Sequence, residues 1–352
     1  MSENIDNHKL MYHPKRVDEF LETGDTFPIY AEIGLTDSCN QKCKFCALDF
    51  LERKGNFMNT NSLYSMLTDV SGKIKSIMYA GEGEPLLHPR ISEIIYTTKY
   101  FGIDTAITTN GIKFDKGKRE AMLPNLSWIR FSVDSGSSEN YAMVHGTNEK
   151  NFGILIDNIK ESVKYKQNNN LDVTIGAQFL TIKDNKDEAI KLAAILKDIG
   201  ADNMQIKPYS RHPLSLHDLE IEGTEYNKLE KKLDEYNDSN FKIIFRKSTL
   251  KRIKDGAEGV TYKECHSLPF YALVDAKGNV LSCNLYYNNQ DYAYGNINED
   301  RFTNIWRSAK RKEVMKKIRD KGVAECRVGC RMDATNRYLE RLINPEMHDN
   351  FI

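Results

Sequence analysis

Short apolar segments with strand character alternate with helix-forming segments along this 352-residue chain as far as Tyr236. The six apolar segments are 29–36, 74–80, 104–110, 128–134, 172–180 and 203–209. Between them, 151–166 and 186–200 have the apolar spacing of amphipathic helices, and Gly200 suits a helix end. Strands that alternate with helices form parallel sheets with right-handed crossovers. The sequence therefore predicts an α/β fold with a partial (β/α)6 TIM-like barrel.

A different pattern follows towards the C-terminus. The segment 270–287 is typical of a β-hairpin that turns at 276–279 and carries Cys283 on its second strand. A polar helical segment, 305–321, comes next. These segments predict a smaller C-terminal α+β domain made of a β-hairpin plus a helix. We expect three parts: an N-terminal helical extension over 1–28, the barrel over 29–245 and the C-terminal domain over 250–345.

Charge and terminal composition narrow the possible partners. Lys plus Arg and Asp plus Glu both total 50, so no overall field favours nucleic acid or an acidic membrane surface. The N-terminal residues lack a basic stretch followed by an apolar one, and no apolar run approaches the length of a membrane span. We therefore expect a cytoplasmic protein that has neither nucleic acid nor a membrane as its partner.

The seven cysteines fall into two groups. Three stand close together directly after the first predicted strand, and we call them the trio: Cys39, Cys43 and Cys46. Four lie in the C-terminal part, and we call them the quartet: Cys265, Cys283, Cys326 and Cys330. An odd number in a chain without a signal peptide favours metal ligation over disulfides. Buried structural cysteines are the alternative, but they explain this clustering poorly.

The trio and the aromatic Phe45 resemble the Cx3CxΦC signature of the radical S-adenosylmethionine (SAM) superfamily. Three thiolates on a [4Fe–4S] cube leave one iron without a protein ligand. The resemblance implies that SAM fills this position through its amino and carboxylate groups. A zinc site would need a fourth ligand, and the nearest downstream histidine, His88, lies in another predicted loop.

Polar residues at the ends of later strands extend the resemblance. The GEGEP stretch looks like the family's GGEP motif, which approaches the amino group of SAM: Gly81, Glu82, Gly83 and Glu84. In related enzymes, further strand ends supply polar contacts to SAM, and the matching residues here are Asn110, Ser132 and Asp134, while Gln178 on the fifth strand would flank the adenosine or the substrate. Lys207 on the sixth strand would flank the adenosine or the substrate. Taken singly, each residue could equally cap a neighbouring helix or sit in an ordinary loop.

The quartet resembles part of the SPASM pattern. Twelve residues separate Cys265 from Gly278 and four more lead to Cys283, which matches Cx(9–15)Gx4C, while Cys326 and Cys330 match its closing Cx3C. Other parts of the pattern are absent, which points to the shorter "twitch" version with one auxiliary [4Fe–4S] cluster. A four-cysteine zinc site remains the alternative.

The resemblance also implies a reaction. A flavodoxin-type or ferredoxin-type donor reduces the first cluster, which cleaves SAM to methionine and a 5′-deoxyadenosyl radical that abstracts a substrate hydrogen. Related epimerases return a hydrogen from a cysteine thiol, but all seven cysteines here are assigned to clusters. This favours oxidation, in which the substrate radical loses a proton to a base and an electron to the auxiliary cluster.

The substrate is indicated only weakly. Fewer than thirty residues precede the first predicted strand, and 13–24 suits a single helix, so we expect no peptide-recognition domain there. The loop after the sixth strand supplies four candidate catalytic or substrate residues: Lys207, Tyr209, Arg211 and His212. They suit a small polar substrate such as a sugar or aminocyclitol, although a plain surface loop explains them equally well. We assign His145 only a structural or supporting role.

Three alternatives to this oxidoreductase stay open. The first is a ribosomal-peptide maturase that uses a separate recognition protein. The second is a radical SAM epimerase, and the third is a non-catalytic module that binds zinc or an iron–sulfur cluster.

Overall fold

The structure is a computed structural model that describes residues 8–217, 219, 223–256 and 259–351. Its strands are β1 Tyr30–Ile33, β2 Ser76–Tyr79, β3 Asp104–Thr109, β4 Trp128–Ser132, β5 Thr174–Thr181, β6 Asn203–Pro208, β7 Lys242–Phe245, β8 Tyr271–Val274, β9 Asn279–Leu281 and β10 Ala293–Asn296. Its α-helices are α1 Pro14–Thr23, α2 Thr60–Val70, α3 Ile91–Tyr100, α4 Lys116–Met122, α5 Ser138–His145, α6 Lys150–Asn168, α7 Glu188–Asp198, α8 Gly223–Asp234, α9 Lys247–Asp255, α10 Phe302–Arg307, α11 Ala309–Lys321 and α12 Asp333–Ile343.

All ten described strands form one sheet in the order β10-β9-β8-β1-β2-β3-β4-β5-β6-β7. Strands β1 to β7 are parallel neighbours, with helices in the connections between them. The predicted partial barrel is therefore confirmed. The alternation continues one strand further than the sequence indicated, because β7 is a four-residue strand beyond Tyr236.

The predicted hairpin forms as β8 and β9, which are antiparallel. Strand β8 also pairs in parallel with β1, so the hairpin continues the barrel sheet instead of forming a separate one. Two local expectations were wrong. Cys283 lies two residues beyond β9, and the predicted single helix is two helices, because Ser308 breaks the helix and its side chain caps α11 through the N–H of Arg311.

The sheet formed by the first six strands has one apolar face and one largely polar face. Alternate side chains of a strand point to opposite faces of the sheet. On the face covered by helices lie fully buried apolar side chains, including Ile33, Ile77, Ile107, Ile129 and Ile175. On the inner face, each of the first six strands contributes at least one side chain to the lining of a cavity, including Glu32, Met78, Thr108, Arg130, Gln178 and Lys207. The polar interior of the barrel is thus available for chemistry.

Buried polar contacts anchor the C-terminal helices to the start of the chain. Arg311 on α11 is fully buried and forms an ion pair with Asp25 at 2.7 Å, and its guanidinium stacks over the ring of Trp306. The indole N–H of Trp306 donates to the carbonyl of Thr26 at 2.9 Å. These contacts hold α10 and α11 beside the entry to β1. Within the part of the chain that the structure describes, no helix has the length and apolar character needed to cross a bilayer.

Candidate active site

The trio lies in the loop between β1 and α2, at the carboxyl end of the sheet. The backbone N–H groups of Lys42 and Lys44 donate to the carbonyls of His145 and Val144, at 3.0 and 2.9 Å. Gly146, which ends α5 with a φ of 56°, leaves room for this approach, since a Cβ there would lie 2.4 Å from the carbonyl oxygen of Lys42. The end of α5 therefore fixes the position of the trio loop.

His145 contacts the middle cysteine of the trio. Its Nδ1 lies 3.2 Å from the sulfur of Cys43, and its Nε2 lies 2.9 Å from the carbonyl oxygen of Val133. Burial lowers the pKa of His145 to about 4, so the ring is neutral near pH 7. Its single proton is then on Nε2, which donates to Val133, and Nδ1 is left as an acceptor towards Cys43. Gln41 and Tyr141 surround the same ring.

Arg53 reaches the third cysteine from the other side of the loop. One guanidinium nitrogen lies 3.6 Å from the sulfur of Cys46, and another donates to the carbonyl of Asp37 at 3.2 Å. The carboxylate of Asp37 accepts the backbone N–H groups of Lys54 and Asn56. These bonds close the loop, and they place a positive charge beside a sulfur that would be negative when it ligates iron.

The GEGEP segment packs against the trio loop. Gly83 approaches it so closely that a Cβ would lie 2.0 Å from the carbonyl oxygen of Ser38. The N–H of Glu84 donates to the same carbonyl at 2.8 Å. The buried carboxylate of Glu84 accepts the hydroxyl of Thr109, the N–H of Asn110 and the N–H two residues further along its own chain. Glu84 thus joins the ends of β2 and β3 to the trio loop.

The first half of GEGEP faces the C-terminal hairpin. Glu82 accepts the backbone N–H of Ala276 at 3.1 Å, in the turn between β8 and β9. Burial and the neighbouring carboxylate of Asp275 raise the pKa of Glu82 to about 8. Gly81 has a φ of 129° and packs on Gly34, so little space exists for a side chain there. This segment connects the trio side of the barrel with the quartet side.

Asn110, Ser132 and Gln178 lie near the mouth of the barrel. The amide of Asn110 donates to the side chain of Asn40 at 2.7 Å, directly beside Cys39. Ser132 and Gln178 are register partners on β4 and β5 and are both half-buried. Gln178 also lines the cavity.

Asp134 is placed differently from these three. Its side chain is fully buried, and its backbone has a φ of 55°. One carboxylate oxygen accepts the N–H of Leu180 at 2.5 Å, and the other lies 3.5 Å from Nε2 of His145. Burial raises the pKa of Asp134 to about 7. Asp134 therefore lies between His145 and the backbone of Leu180, and it is not among the residues that line the cavity.

All four quartet cysteines line the same cavity as Gln178 and Lys207. The pKa values of Cys265, Cys283 and Cys326 are each raised to about 12, first by burial and next by the nearby sulfur of Cys330. Sulfurs this close repel one another when ionised, so a positively charged metal centre is needed to gather them as thiolates. The soft donor set of the quartet fits an iron–sulfur cluster.

Among the residues that the structure describes, no three His, Cys, Asp or Glu side chains close around the position of a single metal ion.

The cavity has a volume of about 1030 Å³. Lys207 lies on its wall, and burial together with the guanidinium groups of Arg327, Arg246, Arg331 and Arg130 lowers the pKa of Lys207 to about 7. The sequence could not indicate this gathering, because the four arginines come from distant segments.

The other three predicted substrate residues pack against other parts of the protein. Tyr209 is buried, and its hydroxyl lies 3.5 Å from the carbonyl oxygen of His217. His212 is fully buried and stacks on Phe50. Arg211 is exposed and donates to a loop carbonyl. None of these three lines the cavity described above.

A partial α/β barrel that carries three cysteines at its mouth and four beside its interior defines an iron–sulfur enzyme. The family model of the radical SAM superfamily matches residues 33–207, and that of the SPASM iron–sulfur cluster-binding domain matches 265–331. The chain belongs to the radical SAM superfamily and carries a SPASM-like C-terminal domain. Its cofactors are S-adenosylmethionine and two iron–sulfur clusters.

Individual relatives are distant. The tungsten-containing aldehyde ferredoxin oxidoreductase cofactor-modifying protein of Pyrococcus furiosus is 26% identical over 181 residues, which is 50% of each chain. The GTP 3′,8-cyclase of Clostridium acetobutylicum is 33% identical over 38% of this chain and 43% of its own. The chain thus spans half or less of the length of these curated relatives. Streptococcus suis SuiB bound to S-adenosylmethionine has a TM-score of 0.67 at 17% identity, covering 87% of this chain and 72% of SuiB, and shares the fold.

Proposed function

We propose that the enzyme is an oxidoreductase that removes two hydrogens from a small polar metabolite. When bound, SAM and the trio's cluster supply a 5′-deoxyadenosyl radical that takes a substrate hydrogen atom, and the quartet's cluster supplies an acceptor for one electron. The observation that carries the proposal is the shared cavity. One space of about 1030 Å³ is lined both by the inner strands of the barrel and by all four quartet cysteines.

Lys207 is the proposed base. Its pKa of about 7 lets the amine be neutral at physiological pH, and it lines the cavity beside the quartet. An alcohol carbon would become a carbonyl: the hydrogen atom leaves with the adenosyl group, the second proton goes to Lys207, and the electron goes to the quartet side. Tyr209, Arg211 and His212 lie outside the cavity, so we assign them to loop structure.

The residues predicted to contact SAM fall into two groups according to the contacts that they make in the structure. Gly81, Gly83 and Asn110 border the trio loop, whereas Ser132 and Gln178 are register partners on β4 and β5, of which Gln178 lines the cavity. Three carboxylates are better supported as positioning residues, because each accepts at least one backbone N–H of the protein: Glu82, Glu84 and Asp134. We therefore propose that these acids hold the trio loop in shape and do not touch SAM.

The names of the relatives do not indicate one substrate class. One relative is a GTP 3′,8-cyclase, whereas SuiB has also been solved bound to the precursor peptide SuiA. The cavity volume is close to that of small-molecule pockets, which favours a metabolite over a peptide. Epimerisation needs a hydrogen donor at the cavity, and the cysteines there belong to the quartet. Oxidation is the better supported reaction.

An external flavodoxin-type or ferredoxin-type donor would supply the reducing electron. The proposed location is the cytoplasm, where thiols are kept reduced and free to bind clusters.

Metabolite profiling tests the proposed function. The anaerobically reconstituted enzyme is incubated with SAM, dithionite and a small-molecule cell extract in deuterated water. We expect a product that is two hydrogens lighter than its substrate and forms in step with 5′-deoxyadenosine. A product of unchanged composition that carries one deuterium would contradict oxidation and indicate an epimerase.

A further inference from the structure

The closing segment of the quartet, residues 326–331, contacts two strands that are not neighbours in the sheet. Arg327 donates from its guanidinium to the carbonyl and the hydroxyl of Ser210, two residues beyond the carboxyl end of β6. Arg331 forms an ion pair with Glu32 on β1. Four strands lie between β1 and β6 in the sheet. The segment that carries the last two quartet cysteines is therefore fixed to the barrel near both of its ends.

The contact with β1 is a buried pair of opposite charges. Glu32 is only 7% exposed, and its carboxylate accepts from Arg331 and, at 3.3 Å, from the hydroxyl of Tyr30. The guanidinium of Arg331 also lies over the ring of Tyr271, with its central carbon 5.3 Å from the ring centre, and donates to the hydroxyl of that tyrosine at 3.4 Å. Buried charges persist in proteins when they are paired and hydrogen-bonded. Glu32 and Arg331 satisfy this condition through each other, although 299 positions separate them in the sequence.

The charge of Arg331 acts on the quartet. Arg331 follows Cys330 directly in the chain, and it lines the cavity together with Glu32 and the four quartet cysteines. Burial and the sulfur of Cys330 raise the pKa of Cys283, and the charge of Arg331 opposes this rise. Net charge around an iron–sulfur cluster helps to set its reduction potential, because reduction adds one negative charge. Arg331 therefore favours the reduced form of a cluster bound there, and Glu32 offsets part of that effect.

We propose that Glu32 is a positioning residue for the cluster of the quartet. It holds the guanidinium of Arg331 beside the quartet and offsets its charge, so the cluster has a lower reduction potential than an unpaired arginine would give it. The inference rests on the proposed function, in which the quartet holds the electron-accepting cluster. Strand β1 also leads into the trio loop, so one strand precedes the SAM-cleaving cysteines and carries the residue that adjusts the electron acceptor.

The test uses the full chain with all three trio cysteines replaced by alanine, so that only the quartet can hold a cluster. After anaerobic reconstitution, the midpoint potential of this trio-free protein is measured by redox titration followed by electron paramagnetic resonance. Glu32→Gln and Arg331→Gln each remove one charge, and the double variant removes both. Asp202→Asn is the matched control, because it breaks an ion pair of 2.6 Å with Lys166 and Asp202 does not line the cavity.

We expect a higher potential in Glu32→Gln, which leaves Arg331 unpaired, and a lower potential in Arg331→Gln, which leaves Glu32 unpaired. At a fixed potential, each change should alter the ratio of reduced to oxidised cluster about tenfold, which corresponds to about 59 mV for one electron. The double variant and Asp202→Asn should stay near the trio-free protein. Shifts of both single variants in the same direction, no shift in either, or an equal shift in Asp202→Asn would overturn the proposal.

Two charge-retaining variants, Glu32→Asp and Arg331→Lys, replace the glutamine variants if those do not retain iron. Both charges are kept, so the potential should stay near that of the trio-free protein. A shift of about tenfold in the same ratio, or loss of iron here as well, would overturn the proposal.

Cys283→Ala in the trio-free protein separates this proposal from the proposed function. Absence of a cluster signal from the trio-free protein, or an undiminished signal in Cys283→Ala, would contradict the quartet as a cluster site and the proposed function with it. A signal that needs Cys283 but whose potential ignores Glu32 would remove only the positioning role.

Discussion

The sulfur of Cys43 lies 3.2 Å from Nδ1 of His145, which is 102 residues further along the chain. His145 is fixed by its bond to Val133, and the loop of the trio is hydrogen-bonded to the same end of α5. The ring therefore orients the middle cysteine of the trio. It is a positioning residue, because every group it touches belongs to the protein, namely the sulfur of Cys43, the carbonyl of Val133 and the neighbouring side chains of Gln41, Tyr141 and Asp134.

Replacing His145 should disturb both the loop and its cluster. His145→Ala removes a buried hydrogen bond and should lower the free energy of unfolding by about 2 kcal/mol. His145→Gln retains an amide able to donate to Val133 and should recover part of this loss. We also expect the electron paramagnetic resonance spectrum of the reduced, SAM-bound cluster to change in His145→Ala and to be nearer to wild type in His145→Gln. An unchanged spectrum in His145→Ala would argue against positioning.

Gly83 should tolerate no side chain, because a Cβ would collide with the backbone of the trio loop. We expect Gly83→Ala to lower the free energy of unfolding by about 3 kcal/mol, as is typical of overpacking, and to reduce iron incorporation. Chemical denaturation and iron analysis measure both effects.

Gly153 provides the control. It lies within α6, and a Cβ there meets no atom within 4 Å. Gly153→Ala should therefore stabilise the protein by about 0.5 kcal/mol, since alanine favours helix. Similar effects of the two substitutions would show that the close approach at Gly83 is unimportant.

Glu82 should make stability depend on pH. Its pKa of about 8 in the folded protein lies above the ordinary value of 4.5, so the folded state favours the protonated acid. The stability linked to this group is present below about pH 4.5 and is lost as the pH rises through about 8. Glu82→Gln cannot ionise, so its free energy of unfolding should rise relative to wild type between pH 5 and 8. A difference between the two proteins that stays constant over this range would contradict the assignment.

The quartet should be needed for oxidation but not for SAM cleavage. Cys283→Ala and Cys330→Ala each remove a ligand from the auxiliary cluster while leaving the trio intact. We expect 5′-deoxyadenosine formation to continue and the oxidised product of the profiling experiment to disappear. Loss of SAM cleavage in a folded variant that retains its first cluster would tell against separate tasks for the two clusters.

The sequence predicted those parts of the fold that follow from local patterns. The apolar segments predicted the first six strands to within a few residues. Gly200, with its φ of 78°, lies two residues beyond the last residue of α7, as expected of a glycine at a helix end. Strand β7 was not predicted, because its four residues, one lysine followed by three apolar residues, are too few to show a strand pattern. The pairing of β8 with β1 was also not predicted, because tertiary packing determines which strands pair when they lie so far apart in sequence.

In the candidate site, too, only the features that have a local sequence signal could be predicted. Cysteine spacing is a local signal, and it indicated both groups of candidate ligands. His145, Arg53 and the cavity arginines gave no such signal, because their roles arise from contacts between distant segments. Asp134 and Glu84 were predicted to contact SAM, and that stays a prediction; what the sequence could not indicate is that each carboxylate is buried and accepts backbone N–H groups of the protein.

Dithionite-driven formation of 5′-deoxyadenosine from SAM by the reconstituted enzyme shows whether the trio holds the cluster that cleaves SAM. We predict formation by the wild type and by Cys283→Ala, and none by Cys39→Ala, Cys43→Ala or Cys46→Ala, because two thiolates cannot hold a cluster that leaves one iron open for SAM. Undiminished formation in any trio variant that retains its fold would contradict the assignment of these three cysteines as ligands of the SAM-cleaving cluster.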